Sequence, residues 1–207
     1  MTAHASRRVV RRSRALGIAL TPKAVKYFEK RPYPPGEQGR ARRPSKSDYS
    51  SQLLEKQRLR AQYGLREAQL RRAFDEAHRR SGRTGEVLVE LLETRLDAVV
   101  LRSGIARTIA QARQVVVHRH VEVDGRLVDK PSYRLRPGQV VSVRERSRAM
   151  TPFVVAAANG HRDVLPAVPA YLALGSDGLC ARLEREPRRA EVPVICDVAL
   201  VVEFYAR

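Results

Sequence analysis

Apolar residues recur along this chain with a helical period first and a strand period later. From Ser47 to Tyr63, Tyr49, Leu53, Gln57 and Arg60 trace one stripe, with Leu54 and Leu59 beside it. Gly64 supplies a stop, so the spacing predicts a helix. Leu70, Ala73, Phe74 and Ala77 lie on one face of a second helix, Arg66 to Arg80. Thr84 is placed to cap a third, on which Val87, Leu88, Leu91, Leu92, Leu96, Val99 and Val100 keep helical spacing until Gly104. Thr108-Ile109-Ala110-Gln111 has the form of a capping box and predicts a short helix to about Val117.

The period then changes. Val121-Glu122-Val123 and Arg126-Leu127-Val128 flank Asp124-Gly125, a pair suited to the positive φ angles of a two-residue hairpin turn. Arg136-Pro137-Gly138 marks another turn, and Gln139 to Arg144 a further strand. Residues 150–190 are punctuated by Pro and Gly and weakly patterned, and Val198 to Tyr205 reads as a closing strand. Residues 1–46 read as irregular, because Lys30-Arg31-Pro32-Tyr33-Pro34-Pro35-Gly36 has no place in a helix interior. The fold class expected is α+β. A basic arm (1–46) precedes a helical domain (47–94), to which 185–207 returns. A small helix–hairpin domain (95–160) and an irregular connection (161–184) complete the chain.

Charge narrows the function. The 207 residues carry 40 Lys and Arg against 22 Asp and Glu, a net +18, and 34 of the cations are Arg. Residues 1–60 alone hold 16 basic against 4 acidic side chains. An excess that large repels itself unless a polyanion offsets it, and Arg pairs bidentately with phosphate. Nucleic acid is therefore the first partner to consider. No apolar run approaches the ~20 residues of a membrane helix. The six-residue run Ala15–Leu20 is too short for an export signal and ends at Thr21-Pro22-Lys23. Two cysteines, Cys180 and Cys196, make no disulfide framework and suit a reducing cytoplasm as small buried hydrophobes.

Catalytic chemistry finds no footing. There is no Gly-rich phosphate loop and no nucleophile–base spacing. His118-x-His120 lacks the additional ligands of a zinc site and suits a structural or RNA-contacting role. We expect no catalytic residue, no metal, no cofactor and no small-molecule substrate.

The stretch Leu92-Glu93-Thr94-Arg95-Leu96-Asp97 through Ala106-Arg107-Thr108 and Ala112-Arg113-Gln114-Val115-Val116, continued by His118-x-His120 and Val123-Asp124-Gly125, resembles the S-four RNA-binding domain. Beyond it, Glu29-Lys30-Arg31-Pro32-Tyr33-Pro34-Pro35-Gly36, Leu54 to Arg60, Tyr63-Gly64, Gln69-Leu70-Arg71 and Val201 to Tyr205 resemble the bacterial S-four ribosomal proteins. The resemblance covers roughly residues 25–207. It implies a primary 16S rRNA-binding protein at a junction of the 5′ domain, beside ribosomal protein number five of the 30S subunit, with a part in assembly and decoding accuracy. Without Cys in residues 1–46, the chain resembles the zinc-free form.

The expected RNA-binding residues are Arg31, Arg40, Arg42, Arg43, Lys56, Arg95, Asp97, Arg102, Arg107, Thr108, Gln111, Arg113, Gln114, His118 and His120. The chain departs from the family pattern where Ile109-Ala110 replaces a pair of arginines and Arg119 replaces a Gly between histidines, as a diverged second copy would. Two other classes compete. A pseudouridine synthase would need a catalytic domain larger than the roughly 60 residues left after the hairpin unit. An extra-ribosomal RNA-binding stress or regulatory protein would use the same residues.

Overall fold

The computed structural model describes residues 3–41 and 47–207. Arg42 and Arg43 lie outside them. The described residues form α1 (Ala3–Leu16), α2 (Pro22–Lys30), α3 (Asp48–Gln62), α4 (Glu67–Arg79), α5 (Thr84–Glu93), α6 (Leu96–Arg102), α7 (Ile109–Val117), α8 (Thr151–Ala157) and α9 (Val198–Ala206). Five strands join them: β1 (Val121–Val123), β2 (Arg126–Leu127), β3 (Val140–Val143), β4 (Leu172–Leu174) and β5 (Cys180–Leu183). The chain is thus α+β. It divides into two compact units, one reaching to Arg71 together with Val194–Arg207, the other Arg72–Pro193. This division falls within α4.

In the first unit the expected irregular arm is largely helical. Gly17 ends α1 at φ 68°, and Arg58 donates from Nε to the Leu16 carbonyl at 2.8 Å. Leu16 and Ile18 bury against Ala61, with Leu20 and Leu54 alongside. Pro22 opens α2, where its missing N–H costs nothing. The Pro-rich stretch lies on α1 because Arg14 Nε donates to the carbonyls of Arg31 and Tyr33 at 3.1 and 3.0 Å. Gly39 is required here: a Cβ would sit 2.0 Å from the Pro34 carbonyl oxygen.

Ser47 caps α3, accepting from the Ser50 N–H at 3.3 Å. The buried side of α3 is not the expected stripe from Tyr49 but Gln52, Glu55, Lys56 and Leu59. Those polar groups are matched by the C-terminal segment. Gln52 donates to Glu203 at 3.0 Å, and the Asp197 N–H donates to Glu55 at 3.0 Å. Residues 198–205, expected as a strand, form α9. Asp197 caps it by accepting from the Ala199 N–H, and Val201 and Tyr205, four apart, are its buried positions.

In the second unit the expected third helix is broken into α5 and α6 at Thr94-Arg95. Arg95 bridges to Arg134, the Leu96 N–H donates to the Tyr133 carbonyl at 2.7 Å, and Thr94 accepts from the Leu135 N–H at 2.8 Å. Backbone pairing with a segment about forty residues away outweighs local helical continuity. The N-cap position of α5 is Arg83, not Thr84. The strands form one antiparallel sheet in the order β2-β1-β3-β5-β4. Asp124 and Gly125 turn the β1–β2 hairpin at φ 49° and 75°. The expected irregular connection supplies β4 and β5; residues 150–190 thus extend the sheet. Cys180 and Cys196 are not joined in a disulfide and are half-buried rather than buried.

Arg119 stands at φ 60°, between α7 and β1. A side chain there costs about 1–2 kcal/mol of strain. Its exposed ion pair with Asp129, 2.9 Å, returns about 0–1 kcal/mol. Arg119→Gly should therefore raise stability by about 1 kcal/mol. A lower urea midpoint for the variant would show that the Asp129 pair outweighs the strain.

Candidate nucleic-acid interface

The helix α7 positions the most exposed of the expected contacts. Thr108 Oγ1 caps it by accepting from the Gln111 N–H at 3.2 Å, while Gln111 Oε1 accepts from the Arg107 N–H at 2.9 Å. The reciprocal bond thus reaches one residue further back than in a capping box. Ala112, Val115 and Val116 bury one side of the helix. Arg107, Gln111, Gln114 and His118 follow one another along the opposite side at steps of four, three and four. Arg107, Gln114 and His118 are exposed, and Gln111 is half-buried. The Gln114 amide meets the His118 ring.

His120 closes this face. It is half-buried, bonded to Ser147 at 3.0 Å and edge-on to Phe153. Burial first, then His118 and Arg146, hold its pKa below the ordinary histidine value. β3 ends beside β1, so Arg144 to Ser147 come to the same end of α7, where the Arg144 N–H donates to the His120 carbonyl at 2.9 Å. Arg119 and Arg146 are both exposed here, and sequence reasoning missed them. Nothing local in the sequence brings 146 to 120; only the β1–β3 pairing does. Ala110 is exposed on α7, whereas Ile109 is half-buried.

Three expected contacts, Arg95, Asp97 and Lys56, are buried, and two more, Arg102 and Arg113, are half-buried against buried carboxylates. Arg95 and Asp97 are 7% and 0% exposed and share a bidentate pair at 2.9 and 2.7 Å. Arg113, half-buried, reaches the same carboxylate at 3.4 Å. Burial pushes the Asp97 pKa above the usual aspartate value against the pull of both arginines. Arg102 grips the buried Glu93 at 2.7 Å, and the Tyr171 hydroxyl donates to the same carboxylate at 2.8 Å. In the other unit Lys56, 6% exposed, pairs with Glu67 at 2.9 Å and lies 4.1 Å from the Phe204 ring centre. These charges are paired within the protein, a placement that suits holding helices together.

Arg31 and Arg40 are exposed on the first unit. Arg40 donates to the Tyr33 hydroxyl at 2.9 Å, with its guanidinium 4.7 Å from the ring centre. Arg31 lines an open groove of about 540 Å³ between α1 and α2. Arg7 and Arg11, four apart on α1, also line it; that repeat was a legible sign of a basic helical face. Among the described residues no group of His, Cys, Asp and Glu could hold a metal ion.

Exposed Arg, Gln and His on a capped helix, with a cation-lined groove elsewhere, are features suited to a protein that binds a polyanion. The family described as "Ribosomal protein S4/S9 N-terminal domain" matches residues 5–93, and the "S4 domain" family matches residues 94–141. The chain is 70% identical over 202 residues to small ribosomal subunit protein uS4 of Beutenbergia cavernae, covering 98% of this chain and 97% of that one. It is 67% identical to the protein of that name from Arthrobacter, with the same coverage. The uS4 protein of Micrococcus luteus is 64% identical, again over 98% and 97% of the two chains. The chain belongs to the uS4 family of small ribosomal subunit proteins.

Proposed function

We propose that the chain is a structural component of the small ribosomal subunit that binds 16S rRNA directly, at a junction in the 5′ domain, and seeds assembly there. It works on the ribosome and is not an enzyme. The observation that carries this reading is the near-full-length identity to uS4 proteins, which extends over both units. The exposed stripe of α7 gives it a physical basis. Structured RNA is recognised by shape, through phosphate and 2′-OH contacts. Arg107 supplies charge, Gln111, Gln114 and Thr108 hydrogen bonds, and His118 and His120 a polar end to the face. Arg31 and Arg40 extend the contact on the first unit. Ribosomal protein number five is the neighbour proposed, through which the chain would influence decoding accuracy.

Among the described residues no helix is long and apolar enough to cross a membrane. Sedimentation of cell extract in high salt tests the proposal: the chain should travel with 30S particles. Recovery at the top of the gradient would favour an extra-ribosomal RNA-binding role.

Ala110 tests the face. Ala110→Arg places a cation in the first turn of α7, which costs about 0.3–1 kcal/mol against the helix dipole. A phosphate there would return roughly 1.5–3 kcal/mol through a charge-assisted bond. Affinity for 5′-domain RNA should rise about tenfold, with a melting temperature lower by no more than about 4 °C. Equal or weaker binding would mean that this turn does not face phosphate.

A further inference from the structure

The groove between α1 and α2 is lined by cations without an acid among them: Arg7, Arg11 and Arg14 from α1, then Lys30 and Arg31 at the end of α2. Arg7, Arg11, Lys30 and Arg31 have no acidic partner among the described residues, so their charge faces the groove uncompensated. Arg14 is held by carbonyls, which accept its hydrogen bonds without neutralising it.

Two tyrosines lie near these cations, and they differ. Tyr33 has Arg14 at 4.9 Å and Arg40 at 4.7 Å from its ring centre, so its faces are already occupied by guanidinium groups. Tyr27 lines the groove, is 47% exposed, and has no ring or cation stacked on it among the described residues. An open aromatic face beside a row of cations is the pairing by which proteins hold unstacked nucleotides: charge follows the backbone and the ring takes a base. Arg7, Arg11 and Arg14 repeat along α1 at about 4–6 Å of rise, a pitch suited to successive phosphates of an extended strand. A duplex offers no free base face to Tyr27.

We infer that this groove binds a single-stranded segment of RNA, with Arg7, Arg11 and Lys30 on its phosphates and one unpaired base stacked on Tyr27. The inference rests on the reading of the chain as an rRNA-binding protein and adds the strandedness of the RNA at this site and the residue that reads it.

Full-length protein is titrated into two labelled RNAs: the 16S 5′ domain, and a single-stranded oligoadenylate of ~10 nucleotides, a length within the range such grooves occupy. The variants are Tyr27→Phe, Tyr27→Ser and Arg11→Gln. Tyr27→Phe should bind the oligonucleotide within about twofold of the parent. Tyr27→Ser should weaken it about 5- to 100-fold with the salt slope unchanged. Arg11→Gln should lower both the affinity and the steepness of the slope, by about 0.7 for one phosphate. Parental affinity in Tyr27→Ser, or equal competition by a duplex of the same length, overturns the inference even if the 5′ domain binds tightly. Failure of the parent to bind the 5′ domain overturns the proposed function instead. Tyr27 is exposed, and circular dichroism of each variant confirms that α1 and α2 persist.

Discussion

Asp97→Ala should destabilise the chain by about 3–5 kcal/mol, the cost of leaving one partner of a buried ion pair alone. Asp97 is fully buried, and both its oxygens accept from Arg95, itself 7% exposed. Removing the carboxylate leaves a guanidinium fork inside the protein without an anion. The pair is costly to break without being a large net source of stability. Burial already pushes the Asp97 pKa up, outweighing Arg95 and then Arg113, so the charged form is disfavoured by folding. Its own titration therefore contributes stability that is fully present below the unfolded pKa and lost as pH rises through the folded one. Replacing both partners by apolar groups of similar volume, Arg95→Met with Asp97→Leu, should recover most of what Asp97→Ala loses. Urea unfolding of the three proteins at neutral pH measures this. A double variant no more stable than Asp97→Ala would show that the pair sets the geometry at the start of α6 and is more than two matched charges.

That pair also marks where sequence reasoning stopped. Arg95, Arg102 and Lys56 are legible as cations, and cations in a strongly basic chain point to RNA. Which of them meets an anion of the protein depends on partners the sequence does not display. Glu93 lies nine residues from Arg102, while Tyr171, which completes the cluster, lies far along the chain. The α7 face was legible because its signals are local: a hydroxyl cap, a Gln three places on, and polar residues at helical steps. The Asp124-Gly125 hairpin was legible for the same reason. Val198 to Tyr205 was not, because a short, continuous apolar run fits either a strand or a buried helix. The cap at Asp197 and the contact with α3 select the helix. The break between α5 and α6 depends on the bridge from Arg95 to Arg134, and no pattern within residues 84–104 announces it. At the end of α1 the density of Arg concealed buried Ser13 and Leu16, and Ile18 just beyond, although Gly17 and Thr21-Pro22 punctuate its end and the next helix.

Affinity for the 16S 5′ domain should fall steeply with salt, by about 250-fold between about 50 and about 200 mM, a log–log slope of roughly −4. The net charge of +18 would suggest a far steeper response if every cation met a phosphate. The structure limits the number. Arg95, Arg102 and Lys56 are neutralised inside the protein, and Arg58, Arg60, Arg134, Arg148 and Arg185 pair with carboxylates nearby. Cations already paired release few counterions when RNA arrives. Of the exposed cations with no carboxylate partner among the described residues, Arg7, Arg11, Lys30 and Arg31 line the groove of the first unit, and Arg107 and Arg146 lie beside α7 in the second. Some ~6 phosphates, at about 0.7 each for single strands and 0.9 for duplex, give that slope. Filter binding across a KCl series measures it. The distribution between the two units sets a second expectation. Replacing Arg7, Arg11, Lys30 and Arg31 by Gln should remove more than half of the slope, while replacing Arg107 alone should remove about 0.7–0.9 of a unit. A flat response in the parent would overturn the electrostatic account of binding. A slope that the fourfold variant leaves untouched would place the RNA on the α7 face alone.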